Sequence, residues 1–119
     1  MSMSEDCLYL SIFTPSDAEY LTTNYTVMVW IHGGAYVVGA GLGNDPSNFV
    51  SYIGDIIVVL INYRLGALGF LYDNLFDTGI NGNFGYEDQK MAIKWVHDNI
   101  KYFGGNPDNI NIFGESAGG

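Results

Sequence analysis

A chain of 119 residues, 48% hydrophobic and 15% aromatic, is long enough for one domain with a packed core and falls outside the composition of disordered chains. Thirteen acids against four bases give a net charge of −9, which argues against nucleic acid or an anionic membrane as a partner, since both demand clustered Lys and Arg. An acidic surface serves solubility in most proteins and in some attracts a cationic ligand.

The first residues, Met1 to Asp6, lack the basic-then-apolar pattern of a secretory leader. Cys7 is the single cysteine and reads as a small buried hydrophobe, or as one half of a disulfide in a secreted protein. Leu8 to Phe13 is strand-like and is closed by Thr14-Pro15. The sequon Asn24-Tyr25-Thr26 makes Asn24 a glycosylation candidate. Tyr25 to Ile31 is a β-rich run that stops abruptly at His32-Gly33-Gly34. Asp55 to Ile61 is almost continuously apolar, the pattern of a strand covered on both faces. Its apolar core, Ile56 to Ile61, is the longest such run and is far below the ~20 residues of a membrane span.

The spacing then predicts a helix from Tyr86 to Phe103. Met91, Ala92, Trp95, Val96, Ile100 and Phe103 form its apolar stripe, and Glu87 and Asp88 favour its N-terminus. Gly104-Gly105 stops it, with Pro107 beyond. A short strand, Ile110 to Phe113, comes next. Buried strands separated by a helix and long loops read as an α/β fold with a largely parallel sheet and flanking helices.

Gly114-Glu115-Ser116-Ala117-Gly118 fits the nucleophile-elbow pattern, in which a serine sits on a strained turn between strand and helix and bulky residues two positions away would collide. Chance produces this pattern in roughly one chain in ten of so glycine-rich a composition. The strand running into it is the context the elbow requires. Serine also needs a base and donors for the oxyanion. His32-Gly33-Gly34-Ala35, directly after a strand, is either a simple glycine turn or a loop whose backbone N–H groups serve that purpose. His32 reads as shaping this loop and His97 as a helix-surface residue, so neither is the expected base. Glu115 reads as a lining or electrostatic residue. Two isolated histidines and one cysteine make no metal site. Gly39-x-Gly41-x-Gly43 lacks the lysine of a phosphate loop. No cofactor is expected.

Five stretches carry a resemblance. They are Ser4 to Leu10, Val29 to Tyr36, Asn62 to Leu71, Gly82 to Gln89, and Phe103 to Asn109 leading into Phe113 to Gly119. In this order they resemble the type-B carboxylesterase and cholinesterase family. The resemblance implies an α/β-hydrolase fold, present over residues 1–119 only in part and truncated at both ends. It implies a serine carboxylic ester hydrolase with Ser116 as nucleophile and the N–H groups of Gly34, Ala35 and Ala117 as oxyanion hole, in a loop shaped by His32 and Gly33. Many members have glycine where Ala35 stands. It further implies an ion pair between Arg64 and Asp88, a disulfide from Cys7 to a cysteine upstream, and a secreted, ER-lumenal or cell-surface location. The triad acid and histidine would lie downstream of Gly119, so residues 1–119 alone are expected to be inactive and poorly soluble. The partner expected is a small carboxylic ester, with oligomeric state left open. Two alternatives stand beside this reading: a non-catalytic adhesion or binding relative, and a cholinesterase.

Overall fold

In a computed structural model the residues described are 4–16, 24–76 and 78–119; Met1 to Met3, part of the segment read as lacking a leader, lie outside them. Four strands form one mixed sheet: β1 (Leu10–Phe13), β2 (Tyr25–Ile31), β3 (Ile56–Ile61) and β4 (Gly105–Gly114), in the order β1-β3-β2-β4. β2 pairs in parallel with both β3 and β4, and β1 runs antiparallel to β3 at the edge.

All six residues of β3 are buried because helices cover both faces of the sheet. On one face Val27, Val29, Ile31, Ile57, Val59, Ile61 and Tyr63 pack with Val96 and Ile100. On the other, Ile56, Val58 and Leu60 pack with Val50. Each fully buried side chain of this size is worth about 1.5–3 kcal/mol relative to exposure.

Three helices flank the sheet: α1 (Ser47–Ile53), α2 (Gly66–Phe70) and α3 (Phe84–Asn99). α1 and α2 escape the periodicity reading because each is short and buries a single residue, Val50 and Gly69 respectively. α3 begins two residues before the expected Tyr86 and gives way to a 3₁₀ turn over Ile100–Phe103, which ends at Gly104 with φ of +83°. The expected apolar stripe is too broad. Val96 and Ile100 are fully buried, whereas Met91 and Trp95 are 71% and 40% exposed. Gly85, Asp88 and Gln89 take the inward positions in the first turns, so Asp88, expected only to favour the helix N-terminus, is also buried. Met91 and Trp95 instead line an open cavity of about 360 Å³ with Leu8, Tyr9 and Leu10.

β4 starts five residues earlier than expected. Gly105 pairs with Tyr25 while Ile110 pairs with Val27, so the stretch between them swells out of register. Pro107, which has no N–H to give a ladder, falls within that bulge. Among the described residues no helix is long and apolar enough to cross a membrane.

Candidate active site

β4 delivers Ser116 to the carboxyl end of the sheet, beside the end of β2, where Ile31 pairs with Gly114. Ser116 has φ of +55°, the left-handed region that a residue with a Cβ seldom occupies. Two bonds hold the turn: Gly118 N–H donates to the Glu115 carbonyl at 2.9 Å and Gly119 N–H to the Ser116 carbonyl at 3.0 Å. Close approach explains the flanking glycines. A Cβ on Gly114 would overlap the Gly118 carbonyl and lie 2.7 Å from the Ile31 oxygen. A Cβ on Gly118 would overlap that Ile31 oxygen and lie 2.9 Å from the His32 oxygen. The Ser116 side chain is left exposed at the tip.

The loop after β2 lies on this turn. A Cβ on Gly33 would come within 3.1 Å of the Ser116 Cβ, 2.6 Å of the Glu115 carbonyl oxygen and 2.8 Å of Glu115 Oε2. The Glu115 carboxylate therefore leans on Gly33. The chain then makes three successive residues of positive φ: Gly34 at +114°, Ala35 at +55° and Tyr36 at +62°. Val37 and Val38 N–H both donate to the Gly34 carbonyl at 3.0 Å, and the Tyr36 carbonyl accepts Gly66 N–H at 2.7 Å. Left-handed geometry at a residue with a Cβ costs roughly 1–2 kcal/mol, so Ala35 and Tyr36 hold strain that these bonds offset. Among the described residues, the N–H groups of Gly34, Ala35 and Ala117 donate to no acceptor within the chain.

Neither histidine faces Ser116 as a base. His32 is 3% exposed and stacks on Tyr63 at 4.5 Å between ring centroids. Its Nδ1 lies 2.7 Å from the Gly33 carbonyl, an acceptor only, so Nδ1 carries the proton and donates it there. His97 is exposed on α3 with Nδ1 3.1 Å from Asp98. No hydrogen bond joins either ring to the Ser116 hydroxyl among the described residues.

Arg64 and Asp88 tie the end of β3 to α3. Arg64 Nη2 and Nε donate to the two Asp88 oxygens at 2.7 and 2.8 Å, and Arg64 backbone N–H donates to Asp88 Oδ2 at 3.0 Å. The pair is asymmetric: the Asp88 side chain is 5% exposed and that of Arg64 38%. Burial pushes the Asp88 carboxyl up, but the hydrogen bonds and charge of Arg64 together hold it below the usual carboxylate range. The Arg64 carbonyl is equally hemmed in, since a Cβ on Gly69 or on Gly85 would overlap it. α2 and α3 therefore both pack on one peptide.

Cys7 is half-buried and free among the described residues. Asn24 is exposed just before β2. Two further residues join the site, both in the stretch Asn62 to Leu71 that carries the resemblance but without a role read from it. Asn62 accepts Gly41 N–H at 2.8 Å and donates through Nδ2 to the Cys7 carbonyl at 3.0 Å, joining two loops. Tyr63 is 2% exposed and its hydroxyl donates to the His32 carbonyl at 2.7 Å. A signal for both exists in the sequence: polar side chains directly after a strand buried on both faces need internal partners.

Comparison with known proteins bears on the family and the fold. The sequence model of the carboxylesterase family matches residues 1–119. The human protein named cocaine esterase is 54% identical over 121 residues, covering 99% of this chain and 20% of that protein. The para-nitrobenzyl esterase of Bacillus subtilis (strain 168) is 49% identical over 119 residues, covering 98% of this chain and 23% of that protein. A solved thermophilic PNB esterase superposes with a TM-score of 0.86 at 50% identity, over 97% of this chain and 23% of that one. The chain thus spans about a fifth of the length of the curated relatives it matches.

Proposed function

This chain belongs to the carboxylesterase family with an α/β-hydrolase fold, and from that premise we propose that it carries the nucleophile of a serine carboxylic ester hydrolase. The observation that supports this most is the contact between two strained loops. Ser116, at φ of +55°, stands against Gly33, and the N–H groups of Gly34, Ala35 and Ala117 donate to no acceptor among the described residues. Ser116 Oγ attacks the ester carbonyl and forms a tetrahedral intermediate whose oxyanion takes those three N–H groups. Collapse expels the alcohol and leaves an acyl-serine, which water then hydrolyses. Backbone donors act without reorganising, because the loop is already held in place by its own turn bonds.

The general base and its carboxylate orienter come from residues outside 1–119, because His32 and His97 are committed elsewhere. Residues 1–119 are then one segment of a longer hydrolase domain. Large exposed apolar side chains such as Leu75 and Phe76, at 80% and 79%, fit that reading. The whole protein hydrolyses small carboxylic esters. A secreted, lumenal or cell-surface location accords with exposed Asn24 as a glycan acceptor and with Cys7 pairing outside the chain.

Turnover of a short-chain aryl ester by the whole protein, set beside residues 1–119 alone, tests this. The whole protein is expected to turn over and the segment to be inert. Turnover by the segment that disappears in Ser116→Ala would place the base within residues 1–119 and overturn the division of labour. A thiocholine ester in the same assay tests whether the net charge of −9 reflects a cationic substrate.

A further inference from the structure

We infer that Tyr63 is a positioning residue for the oxyanion loop: its hydroxyl, 2.7 Å from the His32 carbonyl oxygen, sets the orientation of the peptide from which Gly33, Gly34 and Ala35 lead. The inference rests on the ester-hydrolase reading of Ser116.

The peptide unit is planar, so anchoring the His32 oxygen also fixes the opposing Gly33 N–H and the direction in which the chain leaves. Beyond that peptide, the turn bonds begin only at the Gly34 carbonyl, so the Gly33 end of the loop depends on contacts from outside it. Gly33 has no Cβ, Gly34 sits at φ of +114°, and Ala35 and Tyr36 lie in the left-handed region. A glycine peptide can flip at little steric cost, and a flip would turn a donor away from Ser116. Three contacts limit that freedom at the His32 end. The Tyr63 ring stacks on the imidazole at 4.5 Å with 20° between planes. His32 Nδ1 donates to the Gly33 carbonyl at 2.7 Å. The Tyr63 hydroxyl closes on the His32 carbonyl.

Tyr63 is itself held. It lies between Asn62, which bonds Gly41 and Cys7, and Arg64, clamped by Asp88 through side chain and backbone alike. The segment Asn62–Arg64 is therefore a rigid post at the end of β3, and its one hydroxyl reaches across to the loop after β2. The ring alone would serve the core. The hydroxyl has a second task, because a phenyl ring would fill the same space without reaching the carbonyl.

Tyr63→Phe in the whole protein tests this, with kcat measured per active site titrated by a fluorophosphonate. The expected result is a fall in kcat of roughly ten- to a hundredfold, the scale of a small displacement of catalytic groups, with KM within about twofold. A trifluoromethyl ketone, whose adduct carries the oxyanion, is expected to bind more weakly in proportion to kcat. A merely structural hydroxyl would lower the titrated fraction and leave kcat per site unchanged; that outcome overturns the inference. If Tyr63→Phe does not fold, para-fluorophenylalanine and para-aminophenylalanine at position 63 fill the volume without and with a donor. The amino variant must then exceed the fluoro variant in kcat per site, and equality overturns the inference. A wild-type protein with no titratable Ser116 overturns the hydrolase reading itself, and a titratable one whose variants match it overturns only the role of Tyr63.

Discussion

Ser116→Ala in the whole protein is expected to abolish ester turnover, with kcat falling on the order of a millionfold, the scale seen when a triad serine is removed. That corresponds to about 8 kcal/mol of lost transition-state stabilisation. The fold should tolerate the change better than the chemistry does. Ser116 is exposed, and the turn is held by Gly118 and Gly119 N–H bonds to backbone oxygens, not by the serine hydroxyl. Residual turnover over water would come from the N–H groups of Gly34, Ala35 and Ala117, which the substitution leaves in place. Unaltered thermal stability with lost turnover separates a chemical role from a structural one. Turnover within tenfold of wild type would remove Ser116 from the mechanism.

The second large effect is on stability. Arg64→Met strands the Asp88 carboxylate, which is 5% exposed, and is expected to cost about 3 kcal/mol, near the lower end of values for broken buried pairs because Arg64 itself is partly solvated. Asp88→Asn should cost less, about 1–2 kcal/mol, because the guanidinium left behind can turn to water. The pH dependence comes from the sign of the shift. In wild type the folded Asp88 carboxyl lies below its unfolded value, so its contribution is complete above the unfolded pKa and is lost as pH falls through the folded one. Without the Arg64 side chain, burial is opposed only by the backbone N–H at position 64, and the carboxyl moves up. The variant is then relieved by protonation at a pH where wild type is still ionised. The gap in melting temperature between wild type and Arg64→Met should accordingly narrow from pH 7 to pH 4.5. A gap that stays constant would show that the pair is not what stabilises this junction.

Much of the architecture is legible in the residues. β2 coincides with its predicted run, and β3 differs only by Asp55, because strands covered on both faces carry long apolar segments with little ambiguity. The short helices α1 and α2 are not legible, since one buried residue per helix makes no periodic signal. The error on α3 has the opposite origin. Gly85 and Asp88 meet the Arg64 peptide and Gln89 is buried beside them in sequence, and an apolar-stripe reading cannot assign polar residues to a core. Within the site, the elbow glycines announce themselves because their steric need is local in sequence. The contact between Gly33 and the Ser116 turn is a property of β2 and β4 lying side by side, whereas the Tyr63 bond to His32 joins the ends of β3 and β2. Long-range pairing of this kind is invisible to spacing, although the residues that take part all lie in the motifs. Ala35 illustrates the boundary. Its identity is plain, but that it must adopt φ of +55° appears only once the loop is folded.

The central claim is that Ser116 is acylated. Mixing the whole protein with an aryl ester, quenching within milliseconds in acid, and mapping the peptide that spans Asn111 to Gly119 tests it most directly. An acyl group on Ser116 in near-stoichiometric amount is the predicted result, appearing with a burst of released phenol and absent from Ser116→Ala. Turnover with no acylated Ser116, or with the acyl group on another residue, would contradict it.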